Sequence, residues 1–267
     1  MDAQAEYDNR ARVPDHPAVI EGWARDAAAF RADWPHADLG LAYGRGERER
    51  LDLFRPGPGE AWPLALFLHG GYWQALDRSF FSHMAHGPLA DGVAVAVASY
   101  DLCPSVPLAR IVDQARAAAA FLHRRTGRRL LAFGHSAGGH LAAMLMATDW
   151  RALDPALPAD LVSAALPVSG VFELEPLLPT TVGQPLRLTR EEARALSPRW
   201  LPPPVGALHV VVGAEESAEF IRQSRDFAAA WGGGFEALAG RNHFTVLAPF
   251  AQPGSGLAAR VAPLAPR

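Results

Sequence analysis

One stretch, Arg129 to Met146, constrains this chain more than any other. A short apolar run, Leu130 to Phe133, meets Gly134-His135-Ser136-Ala137-Gly138, and an Ala/Leu/Met-rich segment of helical character follows. Strand, sharp turn and helix in that order put Ser136 at the apex, where the turn forces a positive φ that is costly for any residue with a Cβ. Gly134 and Gly138, two positions either side, remove the side chains that would clash in so tight a bend. The strain lifts the hydroxyl clear of the sheet at a helix N-terminus, whose amides and dipole favour a developing negative charge. G-x-S-x-G spacing alone is a moderate signal in a chain with 24 glycines. The strand-turn-helix setting is what marks Ser136 as a nucleophile.

The segments around this turn read as alternating strands and helices. Leu39 to Tyr43 and Glu49 to Phe54 suit two antiparallel strands joined by Gly44-Arg45-Gly46. Pro63 to Leu68 is a continuous apolar strand, as expected where a sheet is covered on both faces. A helix over Phe80 to Ala90, a strand over Val93 to Tyr100 and an amphipathic helix over Leu108 to Arg125 lead into the serine turn. Leu161 to Val168, Leu208 to Val212 and Phe235 to Leu238 supply the later strands. The alternation predicts a mostly parallel central sheet with right-handed crossovers and helices on both faces. A length of 267 residues suits a single α/β domain over 1–267. Residues 1–36 form an N-terminal extension with a short helix near Ala24 to Ala32, packed across the body or over the mouth of the site. Residues 170–205, rich in Pro, Leu and Thr, break the rhythm as a short cap-like insertion: a lid-like excursion over the active-site face, or a surface loop.

A serine hydroxyl is a poor nucleophile at neutral pH and needs a base and an orienting acid. His243, in Gly240-Arg241-Asn242-His243-Phe244 after the last strand, is the best-placed base. The acid falls in Val212-Gly213-Ala214-Glu215-Glu216-Ser217, directly after a core strand, where spacing alone does not choose between Glu215 and Glu216. The order serine, acid, histidine is the one found on an α/β-hydrolase sheet. His69, His135 and His140 flank these motifs and read as hydrogen-bonding residues of tight turns. His69-Gly70-Gly71-Tyr72 follows the central strand, where glycines let main-chain amides approach an oxyanion without obstruction. The Ala137 amide is one expected donor, and the Gly71 and Tyr72 amides are candidates for the second. Tyr72 and Trp73 beside this hole suit an aromatic wall for the substrate.

Composition narrows the alternatives. A net charge of −3 gives no electrostatic case for nucleic acid or an anionic membrane. The single cysteine, Cys103, follows an apolar strand as a structural thiol, and rules out an intramolecular disulfide or a cysteine-built zinc site. His83 and His86 lie three apart on a helix without a nearby carboxylate, so no metal is expected. The N-terminal sequence lacks a signal-peptide core and the longest apolar runs are strand-length, which makes a cytoplasmic protein the expectation. The expected partner is a small-molecule substrate, with no nucleic acid and no membrane; monomer and homodimer both stay open.

His69-Gly-Gly-Tyr-Trp73 together with Gly134-His-Ser-Ala-Gly138 resembles the HGGxW-type arylformamidase (kynurenine formamidase) family of the α/β-hydrolase superfamily. The resemblance extends through Tyr100-Asp-Leu-Cys-Pro104, Ser169 to Pro176, Glu191 to Pro198, Glu219 to Ser224 and Asn242-His-Phe244. It implies Ser136 as nucleophile and His243 as base. The family's acid is an aspartate in a D-S-P-E-F-like segment that here reads Glu216-Ser-Ala-Glu-Phe220, which assigns the acid to Glu216. Glutamate is one methylene longer, so the loop or the imidazole must shift, and Ala218 replaces the family's proline. The implied reaction is cofactor-free hydrolysis of N-formyl-L-kynurenine to L-kynurenine and formate through a formyl-serine intermediate. A short-chain or aryl carboxylesterase of the same fold is the alternative, and a non-catalytic binding protein on this fold is the third reading.

Overall fold

The computed structural model describes residues 2–59 and 62–266. Among these, eight strands form one sheet: β1 (Ala37–Ala42), β2 (Arg50–Phe54), β3 (Leu64–Leu68), β4 (Ala94–Ala98), β5 (Leu130–His135), β6 (Val162–Val168), β7 (Ala207–Gly213) and β8 (Gly234–Leu238). Their spatial order is β1-β2-β4-β3-β5-β6-β7-β8. The β1/β2 and β2/β4 pairs are antiparallel, and every other neighbouring pair is parallel. The helices are α1 (Ala3–Tyr7), α2 (Asn9–Arg12), α3 (His16–Asp33), α4 (His86–Ala90), α5 (Leu108–Thr126), α6 (Ala137–Met146), α7 (Trp150–Leu153), α8 (Arg190–Ala195), α9 (Ala218–Ala230) and α10 (Val261–Leu264).

The continuous apolar run of β3 has the cause expected of a doubly covered sheet. Leu64, Leu66 and Leu68 face one core with Ile111, Ala115 and Leu141 of α5 and α6. Ala65 and Phe67 face the other with Phe133, Phe250 and Val261. Each large side chain so buried contributes roughly 1.5–3 kcal/mol. The expected helix over Phe80 to Ala90 instead forms two 3₁₀ turns, Arg78–Phe80 and Ser82–Ala85, before α4. Pro88 has no N–H to give the Met84 carbonyl, so the α-helical ladder cannot run through this segment. The helix foreseen near Ala24 to Ala32 is longer: α3 carries Ile20, Trp23, Ala27 and Phe30 at helical spacing and packs on the second core.

Residues 170–205 hold α8 and short 3₁₀ turns, anchored rather than loose. The Gln223 side-chain oxygen accepts from the Phe172 and Glu173 amides at 2.7 and 2.9 Å. Ser197 Oγ accepts from the Leu174 amide at 2.9 Å. No helix among the described residues is long and apolar enough to cross a membrane.

The tightest joint is where α6 leaves the sheet. A Cβ on Gly138 would overlap the Leu68 carbonyl and lie 2.6 Å from the His69 carbonyl oxygen, so the helix sits on β3 only because position 138 has no side chain. Backbone cannot yield there as a side chain could. Gly138→Ala is expected to cost about 2–3 kcal/mol or more, the upper range for overpacking, read as a lowered urea midpoint at unchanged m-value.

Candidate active site

Ser136 joins β5 to α6 with φ 55° and ψ −118°, the strained conformation anticipated for it. Its amide donates to the Val168 carbonyl at 2.9 Å and its carbonyl accepts from the His140 amide at 3.1 Å, so both flanks of the turn are fixed. Ala137 opens α6, which leaves its amide without an intrahelical acceptor. The loop after β3 is strained as well: Gly71, Tyr72 and Trp73 all have positive φ, at 112°, 52° and 56°. Only glycine takes such a conformation cheaply, and the two aromatic residues are held by tertiary contacts. Tyr72 Oη donates to the Tyr7 carbonyl at 2.5 Å and accepts from Asn9 Nδ2 at 3.1 Å. The Gly71 and Tyr72 amides donate to no acceptor among the described residues.

The candidate acid and base lie after later strands of the sheet. Glu216 follows β7 and His243 follows β8; they are 6% and 4% exposed, and Ser136 is 2% exposed. His243 Nδ1 lies 2.6 Å from Glu216 Oε2. A carboxylate can only accept, so Nδ1 carries the proton and Nε2 is the nitrogen available as base. Glu216 Oε1 accepts from the Gly213 amide at 2.7 Å and from the Ser169 hydroxyl. The adjacent Glu215 is exposed, and its contribution is main chain: its amide donates to the Arg241 carbonyl at 3.0 Å, tying the acid turn to the histidine loop. Burial thus separates two carboxylates that sequence spacing could not.

Ser136 and His243 open on one cleft of roughly 430 Å³. Gly70, Gly71 and His135 line it beside Ser136 and His243, with Ile20, Trp23, Tyr72, Leu76 and Phe244 as its aromatic and aliphatic lining; buried Asn9 and exposed Arg10 complete it. No hydrogen bond joins the Ser136 hydroxyl to the imidazole; such contacts commonly tighten only around substrate. Trp73, expected in the aromatic wall, is instead fully buried away from the cleft, its ring edge-on to His140 at 5.0 Å. The positive φ at 73 swings its side chain into the core, and Trp23 of α3, tilted against Phe244 at 6.1 Å, takes its place. None of residues 170–205 lines the cleft; the roof is the N-terminal segment. Trp23 and Ile20 carried a helical-period signal in the sequence, and Ser169 a Ser-Gly pair just past a core strand, where α/β sheets build their sites.

The other motif histidines are structural donors. His69 Nδ1 donates to the Gly70 carbonyl, His135 Nε2 to the His243 carbonyl and His140 Nε2 to the Leu196 carbonyl, each at 2.8 Å. Burial lowers His69 and His140 to about 4. Burial, reinforced by neighbouring His243, holds His135 well below the usual imidazole range. A neutral His135, its ring 4.6 Å from that of His243, does not oppose a positive charge there. Burial also pushes the Cys103 thiol up to about 11, which keeps it protonated. Among the described residues no three His, Cys, Asp or Glu side chains cluster as metal ligands.

A mostly parallel sheet with a strained serine after β5, a buried glutamate after β7 and a histidine after β8 has the layout of an α/β hydrolase. The profile of a family described as the alpha/beta hydrolase fold matches residues 65–204. Kynurenine formamidase of Salmo salar is 35% identical over 201 residues, covering 72% of this chain and 67% of that one. The Danio rerio kynurenine formamidase is 30% identical over 223 residues, covering 78% and 75%. The chain therefore belongs to the kynurenine formamidase family of α/β hydrolases. Among solved structures, a thioesterase candidate from Silicibacter sp. TM1040 superposes with a TM-score of 0.88 at 34% identity, covering 98% of this chain and 99% of that one. An esterase from Pyrobaculum calidifontis, at 18% identity and a TM-score of 0.73 over 93% of each chain, shares the fold.

Two outcomes follow from this geometry. Ser169→Ala leaves one Glu216 oxygen with the Gly213 amide alone, and is expected to lower kcat by about ten-fold while the circular-dichroism spectrum is retained; an unchanged kcat would show that the hydroxyl does not position the acid. The buried histidines make stability fall with acid. Unfolded histidine takes up a proton near about pH 6.5, whereas folded His69 and His140 do so at about 4 and burial holds His135 well below its usual range. Below pH ~6.5 the unfolded chain therefore binds more protons, and each site removes up to about 1.4 kcal/mol of stability per pH unit. Urea unfolding across this window measures the slope; a flat profile would mean that these rings are already charged in the folded protein.

Proposed function

We propose that this hydrolase is an arylformamidase that converts N-formyl-L-kynurenine to L-kynurenine and formate through a formyl-serine intermediate on Ser136. The observation that carries the serine mechanism is the buried His243 imidazole, oriented by Glu216 and opening on the cleft that Ser136 and the glycine loop line. The similarity to curated kynurenine formamidases supports the substrate.

Ser136 Oγ attacks the formyl carbon while His243 Nε2 takes its proton. Glu216 stabilises the imidazolium through Nδ1. The carbonyl oxygen becomes an oxyanion, met by the Ala137 amide and by an amide of Gly71 or Tyr72. One such donor lowers the barrier by roughly 3–4 kcal/mol. The imidazolium returns its proton to the aryl nitrogen, the C–N bond breaks and kynurenine leaves. Water then attacks the formyl ester with His243 again as base, releasing formate and regenerating the serine. A formyl carbon bears only hydrogen where larger acyl groups carry a chain, which suits a floor closed in by Gly70, Gly71 and His135. The flat aryl leaving group matches the Trp23 and Phe244 walls. A carboxylesterase or thioesterase would use the same tetrahedral chemistry, and the likeness to the thioesterase candidate favours keeping that second reading in the test.

Side-by-side kcat/KM values on N-formyl-L-kynurenine, p-nitrophenyl acetate and an acetyl thioester, with Ser136→Ala as blank, decide between them. A formamide value of about 10⁴ M⁻¹s⁻¹ or above is expected, falling by several orders of magnitude in Ser136→Ala. Strong ester or thioester turnover with negligible formamide turnover would move the chain to the second reading, and wild-type turnover by Ser136→Ala would sink the serine assignment.

A further inference from the structure

The cleft has a graded lining. Its floor holds the reacting groups, its walls are aromatic or aliphatic, and at the rim stands Arg10, the single Lys or Arg side chain in the lining. No Asp or Glu lines the same cleft. Arg10 lies in α2, is exposed, and makes no hydrogen bond or ion pair with any described residue. Its acidic neighbour Asp8 does not neutralise it: one Asp8 oxygen caps the Ala11 amide at 3.0 Å, and no ion pair joins the two side chains. Position 10 is moreover fixed. Asn9 beside it is buried and donates to Tyr72 Oη, and Tyr7 before it is buried, its hydroxyl donating to Glu219 at 3.0 Å and accepting from Gln223 at 2.6 Å. An unpaired guanidinium is therefore held at the rim of a cleft whose floor carries Ser136.

We infer that Arg10 binds a carboxylate on the substrate, at the end opposite the scissile acyl group, and so selects anionic substrates over neutral ones of the same shape. A molecule running from Ser136 to Arg10 would present an acyl carbonyl, then a flat apolar body against Trp23 and Phe244, then an anion. Resting on the arylformamidase reading, the anion is the α-carboxylate of N-formyl-L-kynurenine. Guanidinium pairs with carboxylate through two parallel N–H donors, which fixes orientation as well as charge.

The test compares anionic and neutral partners in wild type, Arg10→Ala, Arg10→Lys and Arg12→Ala. Arg12 removes the same charge two residues on without lining the cleft, and so controls for long-range electrostatics. One readout is the ratio of kcat/KM for N-formyl-L-kynurenine to that for formanilide. The other is the ratio of inhibition constants of L-kynurenine and of its decarboxylated analogue kynuramine, both measured against p-nitrophenyl acetate hydrolysis. The preference for the carboxylate-bearing partner is expected to shrink about ten-fold in Arg10→Ala, to return in part in Arg10→Lys and to hold in Arg12→Ala. Equal preference in wild type and Arg10→Ala, or an equal loss in Arg12→Ala, would overturn the inference. The inhibition readout does not need formamide turnover. If formylkynurenine is not hydrolysed while kynurenine still outcompetes kynuramine through Arg10, the substrate assignment falls and carboxylate recognition stands.

Discussion

Everything in the site depends on how closely helix α6 approaches the end of strand β3. With no side chain at 138, the first turn of α6 packs on the Leu68 and His69 carbonyls, and this one contact fixes two things at once. It aims the unpaired amide of Ala137 along the sheet end, and it brings the His69–Gly71 loop alongside Ser136, with Gly70 against the His135 ring. Tyr100 Oη donating to the His69 carbonyl at 2.6 Å, and the Tyr100 and His69 rings stacked at 4.1 Å, hold that loop from below. Hydrogen-bond donors for an oxyanion are useful only if already in place when charge develops. The close packing supplies that preorganisation from main chain alone.

The framework was legible in the sequence because its signals are local. Apolar runs such as Leu64 to Leu68 and Leu130 to Phe133 suit doubly covered strands, and Gly134 and Gly138 around Ser136 suit a tight strand-to-helix turn. Ser136, Glu216 and His243 follow strand ends, so order along the chain was enough to nominate the serine, the histidine and the two-residue acid segment. What escaped was decided by tertiary contact. Spacing left Glu215 and Glu216 open and only the family resemblance favoured Glu216; in the structure the Glu215 amide pairs with Arg241 while Glu216 meets the imidazole. Which aromatic residue walls the cleft depends on a positive φ at Trp73 that nothing in the residue itself requires. The roof came from α2 and α3, more than a hundred residues from the serine; the sequence left open whether this extension crosses the body or covers the mouth of the site, because neither helix carries a motif.

The N-terminal segment belongs to the site rather than decorating it. Glu6 accepts from the Glu219 amide at 2.9 Å, Tyr7 meets Glu219 and Gln223, and Gln4 accepts from the Thr181 amide at 2.8 Å. Helix α9 starts directly behind Glu216, so the segment that roofs the cleft is braced on the element next to that carboxylate. Arg222 completes the brace through Glu173 and Glu219, both within 3.0 Å. Roof, acid and excursion are thus tied together away from the chemistry, leaving the cleft walls apolar.

The hydrogen bond from the His135 ring to the main-chain carbonyl of His243 spans 108 residues of sequence. It fastens the backbone of His243 to the residue next to Ser136, without passing through any of the strands, turns and helices in between. Positional error in that long intervening path is therefore not inherited by the reacting pair. Alongside the Glu216 and Glu215 contacts to the histidine loop, this hydrogen bond lets direct contact rather than the length of intervening chain set the spacing between Ser136 and the imidazole.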